Sequence, residues 1–374
     1  MAPKMKVLFR ADASIKIGIG HVMRCLTLAE ALKSQGAECQ FICREHSGNL
    51  IEHLRQKGYL VHALPPEPSL EMTLMTKDDP QTESELTHSG WLGATQSEDA
   101  AECRVAVEEF QPDWLIVDHY ALDARWEKAL KKHYRKLMVI DDLADRSHIC
   151  DLLLDQTYGR ETQAYQPWVS ENCAVFCGSK YALLRPEFAA LRPYSLGRRE
   201  NPQLDHLLIT MGGIDNDNAT GHVLHALKTC DLPANCHITV VMGASAPWLT
   251  DVRQVAKELP WPTEVRVNVT DMARLMADSD LAIGAAGSTS WERCCLGLPV
   301  VMLVLAENQK TAAMLLEQAH AVLSISVDID LPLNLQKIIE RIKSEKMLLS
   351  TLSAISNQIT DGTGCQFVVS KLQG

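Results

Sequence analysis

The chain of 374 residues has no excess of positive charge: 36 Lys and Arg stand against 47 Asp and Glu, a formal net charge of -11. Nucleic-acid backbones are bound through clustered Lys and Arg. This balance therefore speaks against nucleic acid as a partner, and any anionic ligand must be held by a local device. No apolar run approaches the roughly 18 residues of a membrane span, and Met1 to Arg10 lead into a strand-like segment rather than a signal peptide. The expectation is a cytoplasmic protein without membrane insertion. Low-complexity tracts are also missing, and with 46% hydrophobic and 22% charged residues the composition is that of a globular protein. The 12 cysteines are scattered. Their closest groupings, Cys39/Cys43, Cys173/Cys177 and Cys294/Cys295, form no paired CxxC arrangement, and there is no HExxH. They read as small buried apolar side chains, and neither a metal nor a cofactor is expected.

What is present is alternation. Short runs rich in Val, Ile and Leu alternate with stretches of helical period, the pattern of parallel strands joined by crossover helices. In the first half the strand candidates are 6–9, 39–42, 60–63, 114–117, 137–140 and 152–154. Val22, Leu26, Ala29 and Leu32 predict a helix over about 21–34 that Gly36 closes. Between Pro65 and Asp99 the chain becomes acidic and turn-rich, a surface excursion that re-enters helix before Pro112. Pro193, Gly197, Arg198, Arg199, Asn201 and Pro202 crowd together without apolar rhythm, which predicts a linker over 193–203. The alternation restarts with strand candidates at 207–210, 238–241, 265–267, 281–283 and 300–303. The fold class is thus α/β: two Rossmann-like doubly wound domains, 1–192 and 204–374, facing a cleft, with a last helix that crosses back to the first domain. In such folds ligands sit beyond the carboxyl ends of the strands, and the strand-end loops hold the candidate chemistry.

The loop after the first strand runs from Asp12 to Gly18-Ile19-Gly20-His21. Its glycines permit close backbone approach, and the helix start offers free N–H groups suited to phosphate. The glycine pair is not a dinucleotide fingerprint, because Met23 stands where a third glycine is expected. His21, in the first turn, suits a neutral imidazole that accepts a proton, and packing explains it equally well. Asp12 can orient that ring or cap a turn. The fourth strand ends in Asp118-His119-Tyr120, and the fifth in Asp141-Asp142, an acidic pair that turn formation explains as well as function does. In the second half Met211-Gly212-Gly213 again suits a phosphate or a plain tight turn. Ser288, Thr289 and Glu292 combine hydroxyls with an acid early in a helix, and Asn308-Gln309 follow the next strand.

These segments, with Val7-Leu8-Phe9-Arg10-Ala11-Asp12, Ile116 to Tyr120, Tyr181 to Arg185 and Glu307-Asn308-Gln309, occur in an order that resembles the UDP-sugar hydrolases of pseudaminic acid biosynthesis. Those enzymes remove UDP from UDP-2,4-diacetamido-2,4,6-trideoxy-β-L-altropyranose. The family is related in fold to the two-domain GT-B glycosyltransferases. The resemblance implies that His21 is the catalytic base. It implies that Asp12, Gly20, Tyr120, Arg185 and Asn308 contact the sugar, and that Gly212, Gly213, Ser288, Thr289 and Glu292 contact the nucleotide, Glu292 through its ribose. It further implies a UDP-activated diacetamido-trideoxy sugar and water as partners, C–O cleavage with inversion, and contacts with neighbouring pathway enzymes. The acidic stretch after Pro65 makes this chain longer than compact relatives.

Two other functions use the same features. A GT-B glycosyltransferase would pass the sugar to an acceptor; a lipid-linked one favours a basic patch, for which Trp126 to Lys136 is the candidate, although a solvated helix face explains those charges too. A nucleotide-sugar-binding regulator would hold UDP without consuming the sugar. A hydrolysing epimerase shares the architecture but not this motif set.

Overall fold

The computed structural model describes residues 4–66, 86–305 and 309–374. The chain divides into two units, Met1–Leu183 with Cys365–Gly374, and Leu184–Gly364.

In the first unit, β1 (Lys6–Ala11), β2 (Glu38–Arg44), β3 (Leu60–Leu64), β4 (Trp114–Asp118), β5 (Lys136–Ile140), β6 (Leu152–Asp155) and β7 (Ala174–Cys177) form a 7-stranded sheet in the order β3-β2-β1-β4-β5-β6-β7, parallel at every pairing. Strands covered on both faces read as near-continuous apolar runs. In β1, Val7, Phe9 and Ala11 face a core shared with Val22, Leu26 and Leu32 of α1 (Gly20–Ser34). Leu8 faces a second core with Cys103 and Val107 of α3 (Gln96–Phe110) and with Trp126 and Leu130 of α4 (Ala124–Leu130). The remaining crossover helix among the described residues is α2 (Ile51–Gln56). Gly36, at φ +91°, turns the chain after α1 in a conformation that favours glycine. The excursion after β3 ends at Thr95, whose capping box with Glu98 starts α3; residues 67–85 of that excursion lie outside the described residues.

The second unit starts with α5 (Pro186–Arg198). Its sheet comprises β8 (His206–Thr210), β9 (His237–Met242), β10 (Thr263–Val267), β11 (Leu281–Ala285), β12 (Val300–Leu303) and β13 (Leu323–Ile325), 6 strands in the order β10-β9-β8-β11-β12-β13, again parallel. The helices are α6 (Ala219–Leu227), α7 (Leu249–Lys257), α8 (Met272–Asp278), α9 (Thr289–Cys295), α10 (Lys310–Gln318), α11 (Leu331–Ser344) and α12 (Leu348–Ser356). The chain then returns to the first unit as α13 (Gly364–Gln373). There Val368, Val369 and Leu372 join the β1 core, and Trp114 Nε1 donates to the Leu372 carbonyl at 2.9 Å.

The stretch 193–203 is not a linker. Pro186 begins a helix at the position proline tolerates best, and the helix runs through Pro193 to Arg198. Polar residues that lack apolar rhythm hold it to its own unit. Arg192 donates to the carbonyls of Cys295 (2.5 Å) and Asn357 (2.8 Å), and Ser195 donates to that of Leu296 (2.7 Å). The division accordingly falls at Leu183/Leu184 rather than after residue 192. The basic stretch Trp126 to Lys136 is no single helical face either. It is the end of α4, a turn and the first residue of β5, with Trp126, Leu130 and Tyr134 buried and the lysines exposed. No helix among the described residues is long and apolar enough to cross a membrane.

Candidate functional site

Both sheets reverse their strand order at one place, between β1 and β4 in the first unit and between β8 and β11 in the second. Loops leaving such a switch point diverge and open a crevice at the carboxyl ends of the strands.

In the first unit this place belongs to His21 and Asp118. The loop after β1 is shaped by Ser14, whose Oγ accepts from the N–H groups of Lys16 (3.1 Å) and Ile17 (2.9 Å) and whose backbone bridges to Gly18. It delivers Gly20 and His21 into the first turn of α1, which has no side-chain cap and no acidic residue there. Asp118 is the last residue of β4 and fully buried. His21 Nδ1 lies 2.6 Å from Asp118 Oδ1. Arg24, one turn on, donates to both oxygens of the same carboxylate (2.6 and 2.7 Å) and to Asp142 at 2.6 Å. Burial alone would push the Asp118 carboxyl up, but the charges and hydrogen bonds of Arg24 and His21 outweigh it and hold the group well below the usual carboxylate range. Asp118 is therefore an anion that accepts a hydrogen bond from Nδ1–H, which makes Nε2 the ring nitrogen with the free lone pair.

Tyr120 packs edge-on against the His21 ring with centroids 4.6 Å apart, and its hydroxyl donates to Asp142 at 2.9 Å. Burial, and then the Asp142 charge, raise its phenol well above the ordinary value, so it stays a neutral donor. Trp91 stacks on Tyr120 (5.8 Å) and meets His21 edge-on (6.4 Å), while His88 lies 4.4 Å from Trp91 and 5.5 Å from Tyr120. The half-buried rings of Trp91 and His88, with the buried Tyr120, make a wall of aromatic surface beside the imidazole, suited to apolar faces of a small polar ligand.

Asp12 does not orient His21. It is fully buried, bound to Arg10 Nη1 at 2.6 Å and to the Arg44 backbone N–H at 2.7 Å, and it stands 3.3 Å from His119 Nε2. The orienting carboxylate comes from β4, the strand next to β1, and not from the loop that carries the histidine. Sequence reasoning named Asp118 and Asp142 as strand-end residues but gave neither of them, nor Arg24, a role in the site. The strand-end position of Asp118, directly beside β1, was the signal for it. Trp91 and His88 had none, lying about 70 residues from His21 in chain order.

The second unit has its own cluster. Gly212 is exposed with φ +97°, and Gly213 accepts from the Gly243 N–H at 3.0 Å. The first amides of α6 are already taken: Asp215 accepts from Ala219 (2.8 Å) and Thr220 (2.9 Å), and Asn218 from Gly221 (3.1 Å). Free backbone donors must come from the glycine loop itself. Beyond β11, Ser288 is exposed and Thr289 half-buried. Glu292 stands 3.9 Å from Arg185, which also pairs with Glu187 at 3.0 Å. Arg185 thus lies in the second unit, beside Glu292. Burial pushes the Glu292 carboxyl up to about 7, against the pull of Arg185 and Arg293. Asn308 lies outside the described residues.

Comparison with known proteins follows the same division. Residues 208–363 match the glycosyltransferase family 28 C-terminal domain. The chain is 28% identical over 310 residues to the UDP-2,4-diacetamido-2,4,6-trideoxy-beta-L-altropyranose hydrolase of Campylobacter jejuni, covering 83% of this chain and 95% of that one. It is 26% identical over 310 residues to an uncharacterized protein of Methanocaldococcus jannaschii, across 82% of this chain but 57% of that protein's length. Among solved structures, MurG of Acinetobacter baumannii superimposes with a TM-score of 0.68 over 99% of both chains at 14% identity. The architecture is that of the GT-B type, with two doubly wound parallel sheets, and the chain is similar to a UDP-sugar hydrolase.

Proposed function

We propose that this chain, with its GT-B-type sheets and its second-unit likeness to family 28 glycosyltransferases, hydrolyses UDP-2,4-diacetamido-2,4,6-trideoxy-β-L-altropyranose to UDP and the free sugar. The single observation that carries the reading is the His21–Asp118 pair at the switch point of the first sheet, a general base with its tautomer fixed. The named relative from Campylobacter jejuni supplies the substrate class.

In this reaction His21 Nε2 accepts a proton from water as the water oxygen forms a bond to the anomeric carbon. The bond from that carbon to the UDP oxygen breaks, and its electron pair leaves on the diphosphate. UDP is already a good leaving group, so the remaining tasks are positioning and charge stabilisation. Tyr120 and Gly20, with Asn308, are assigned to the sugar. Gly212, Gly213, Ser288 and Thr289 are assigned to the diphosphate, and Glu292 to the ribose hydroxyls, with Arg185 setting the Glu292 charge. Asp12 acts from behind, by holding His119 and the end of β2. None of these steps calls on a metal or cofactor, and we assign the enzyme to the cytoplasm.

The test is incubation with the purified UDP sugar in oxygen-18 water without an acceptor. UDP release with the label in the free sugar is expected; label in UDP alone would overturn anomeric attack. His21→Asn should abolish turnover and keep UDP binding. Asp118→Asn should lower kcat about 10²- to 10⁴-fold, the usual contribution of general-base catalysis, with little change in KM. If the sugar is consumed only when a second sugar or lipid acceptor is added, the protein is a glycosyltransferase. UDP binding without consumption under either condition would mark a regulator.

A further inference from the structure

The second unit holds a cation that the proposed reaction has not used. Arg293, in α9, is 1% exposed. Its Nη2 donates to the Ala285 carbonyl at 2.5 Å and to Ser290 Oγ at 3.3 Å, while Nε and Nη1 have no hydrogen-bond partner. No carboxylate of the described residues is hydrogen-bonded to it. Its neighbour Glu292 turns instead towards Arg185. Burial pushes the guanidinium down to about 10, and Cys294 and Glu292 restore little of that; at neutral pH it remains charged.

The position of the group is specific. A Cβ at residue 284 would collide with Arg293 Nη1 and come within 2.8 Å of the Thr210 carbonyl. Only glycine at 284 leaves room for the guanidinium, which therefore lies where the carboxyl ends of β8 and β11 meet. The loops leaving those two ends are 211–213 and 286–288. A buried charge without a counter-ion is unfavourable, and a cation with unused donors at a sheet's switch point fits an anion that arrives from outside.

We propose that Arg293 is the buried countercharge for the diphosphate of a nucleoside diphosphate held by loops 211–213 and 286–288. The proposal rests on the reading of those loops as the UDP site and names the group that balances the phosphate charge. Arg293 acts as a positioning residue, electrostatically and through the carbonyl of Ala285 at the end of β11, so its contribution scales with the charge of the ligand. Unit charges several ångströms apart in a partly buried setting couple strongly enough to change affinity about ten- to a hundredfold.

Calorimetric titration of the full chain with UDP, UMP and uridine tests this. Arg293→Met should weaken UDP about ten- to a hundredfold, UMP by less, and leave uridine nearly unchanged. Equal losses for UDP and uridine would show a merely structural role and overturn the proposal, as would undiminished UDP binding. If Arg293→Met does not fold, Arg293→Lys decides. It keeps the charge and should keep most of the UDP-to-uridine preference, whereas a preference as low as that expected of a neutral residue overturns the assignment. Failure of the unaltered protein to bind UDP would sink the nucleotide reading itself, a result distinct from UDP binding that is indifferent to Arg293.

Discussion

Glu292 shows how one carboxylate can couple ligand affinity to pH. It sits half-buried on α9, where burial raises it to about 7 although Arg185 stands 3.9 Å away. A carboxyl raised in this way retains its proton near pH 6, and only the ionised form can accept hydrogen bonds from two ribose hydroxyls. Ribose binding through Glu292, as proposed above, would therefore release a proton. Affinity should rise with pH up to about 7 and then level off. Uridine is the ligand to use, because it carries no phosphate that titrates in this range. Between pH 6 and pH 8 its affinity should increase about tenfold, following the ionised fraction, and Glu292→Gln should bind weakly at every pH. A flat profile in the unaltered protein would remove Glu292 from the ribose. His21 and Asp118 make the opposite kind of pair. There the carboxylate is held ionised by Arg24, so protonation of Asp118 plays no part near neutrality.

At the scale of elements, α3 is fixed chiefly by one side chain. Asp99, fully buried in its first turn, accepts from Arg10 Nε and Nη2 (3.2 and 2.7 Å), from Arg44 Nη2 (2.8 Å) and from Trp126 Nε1 (2.9 Å). The helix is thereby tied to β1, β2 and α4 at once. Removing one partner of a buried ion cluster strands the others, so Asp99→Ala should cost roughly 3–5 kcal/mol in urea unfolding. Thr95→Ala, which removes only the exposed cap, should cost about 1 kcal/mol. Comparable effects for the two would contradict the tether. The helix itself was legible, because the chain regains helical period before Pro112. Its role as a tether was not, since the three side chains that donate to Asp99 come from three separate segments. The same holds for the candidate site. The position of His21 beyond β1 and of Tyr120 beyond β4 followed from strand-end reasoning alone. The Asp118 partner needed knowledge that β1 and β4 are neighbours. The aromatic wall needed knowledge of where the excursion ends. Elements that escaped were short or polar: β7 and β13, of 4 and 3 residues, are too brief to show a period, and α5 hides its helical character behind Pro193 and two arginines, Arg192 and Arg198.

At the scale of the whole molecule, each unit has a sheet and a core of its own, and only the first depends on both ends of the chain. A protein that stops after Gly364 would lose Val368, Val369 and Leu372 from the β1 core and leave Trp114 Nε1 without its carbonyl. It should unfold its first unit at a markedly lower temperature and lose turnover. The second unit, residues 184–364, should keep the UDP affinity proposed for it. Thermal unfolding followed by tryptophan fluorescence, with calorimetric titration of UDP, checks both halves. Loss of UDP binding together with turnover would mean that the core around Trp114 supports the nucleotide loops as well.

The return of α13 also bears on the order of events during synthesis. Domains generally fold as units while the chain emerges, the N-terminal one first. Here the first sheet is made early but its core lacks Val368 and Val369 until the whole second unit has been synthesised. On the ribosome the second unit can finish before the first. The segment carrying His21 and Asp118 therefore waits, with part of its apolar face uncovered, for helix residues synthesised more than 200 positions later.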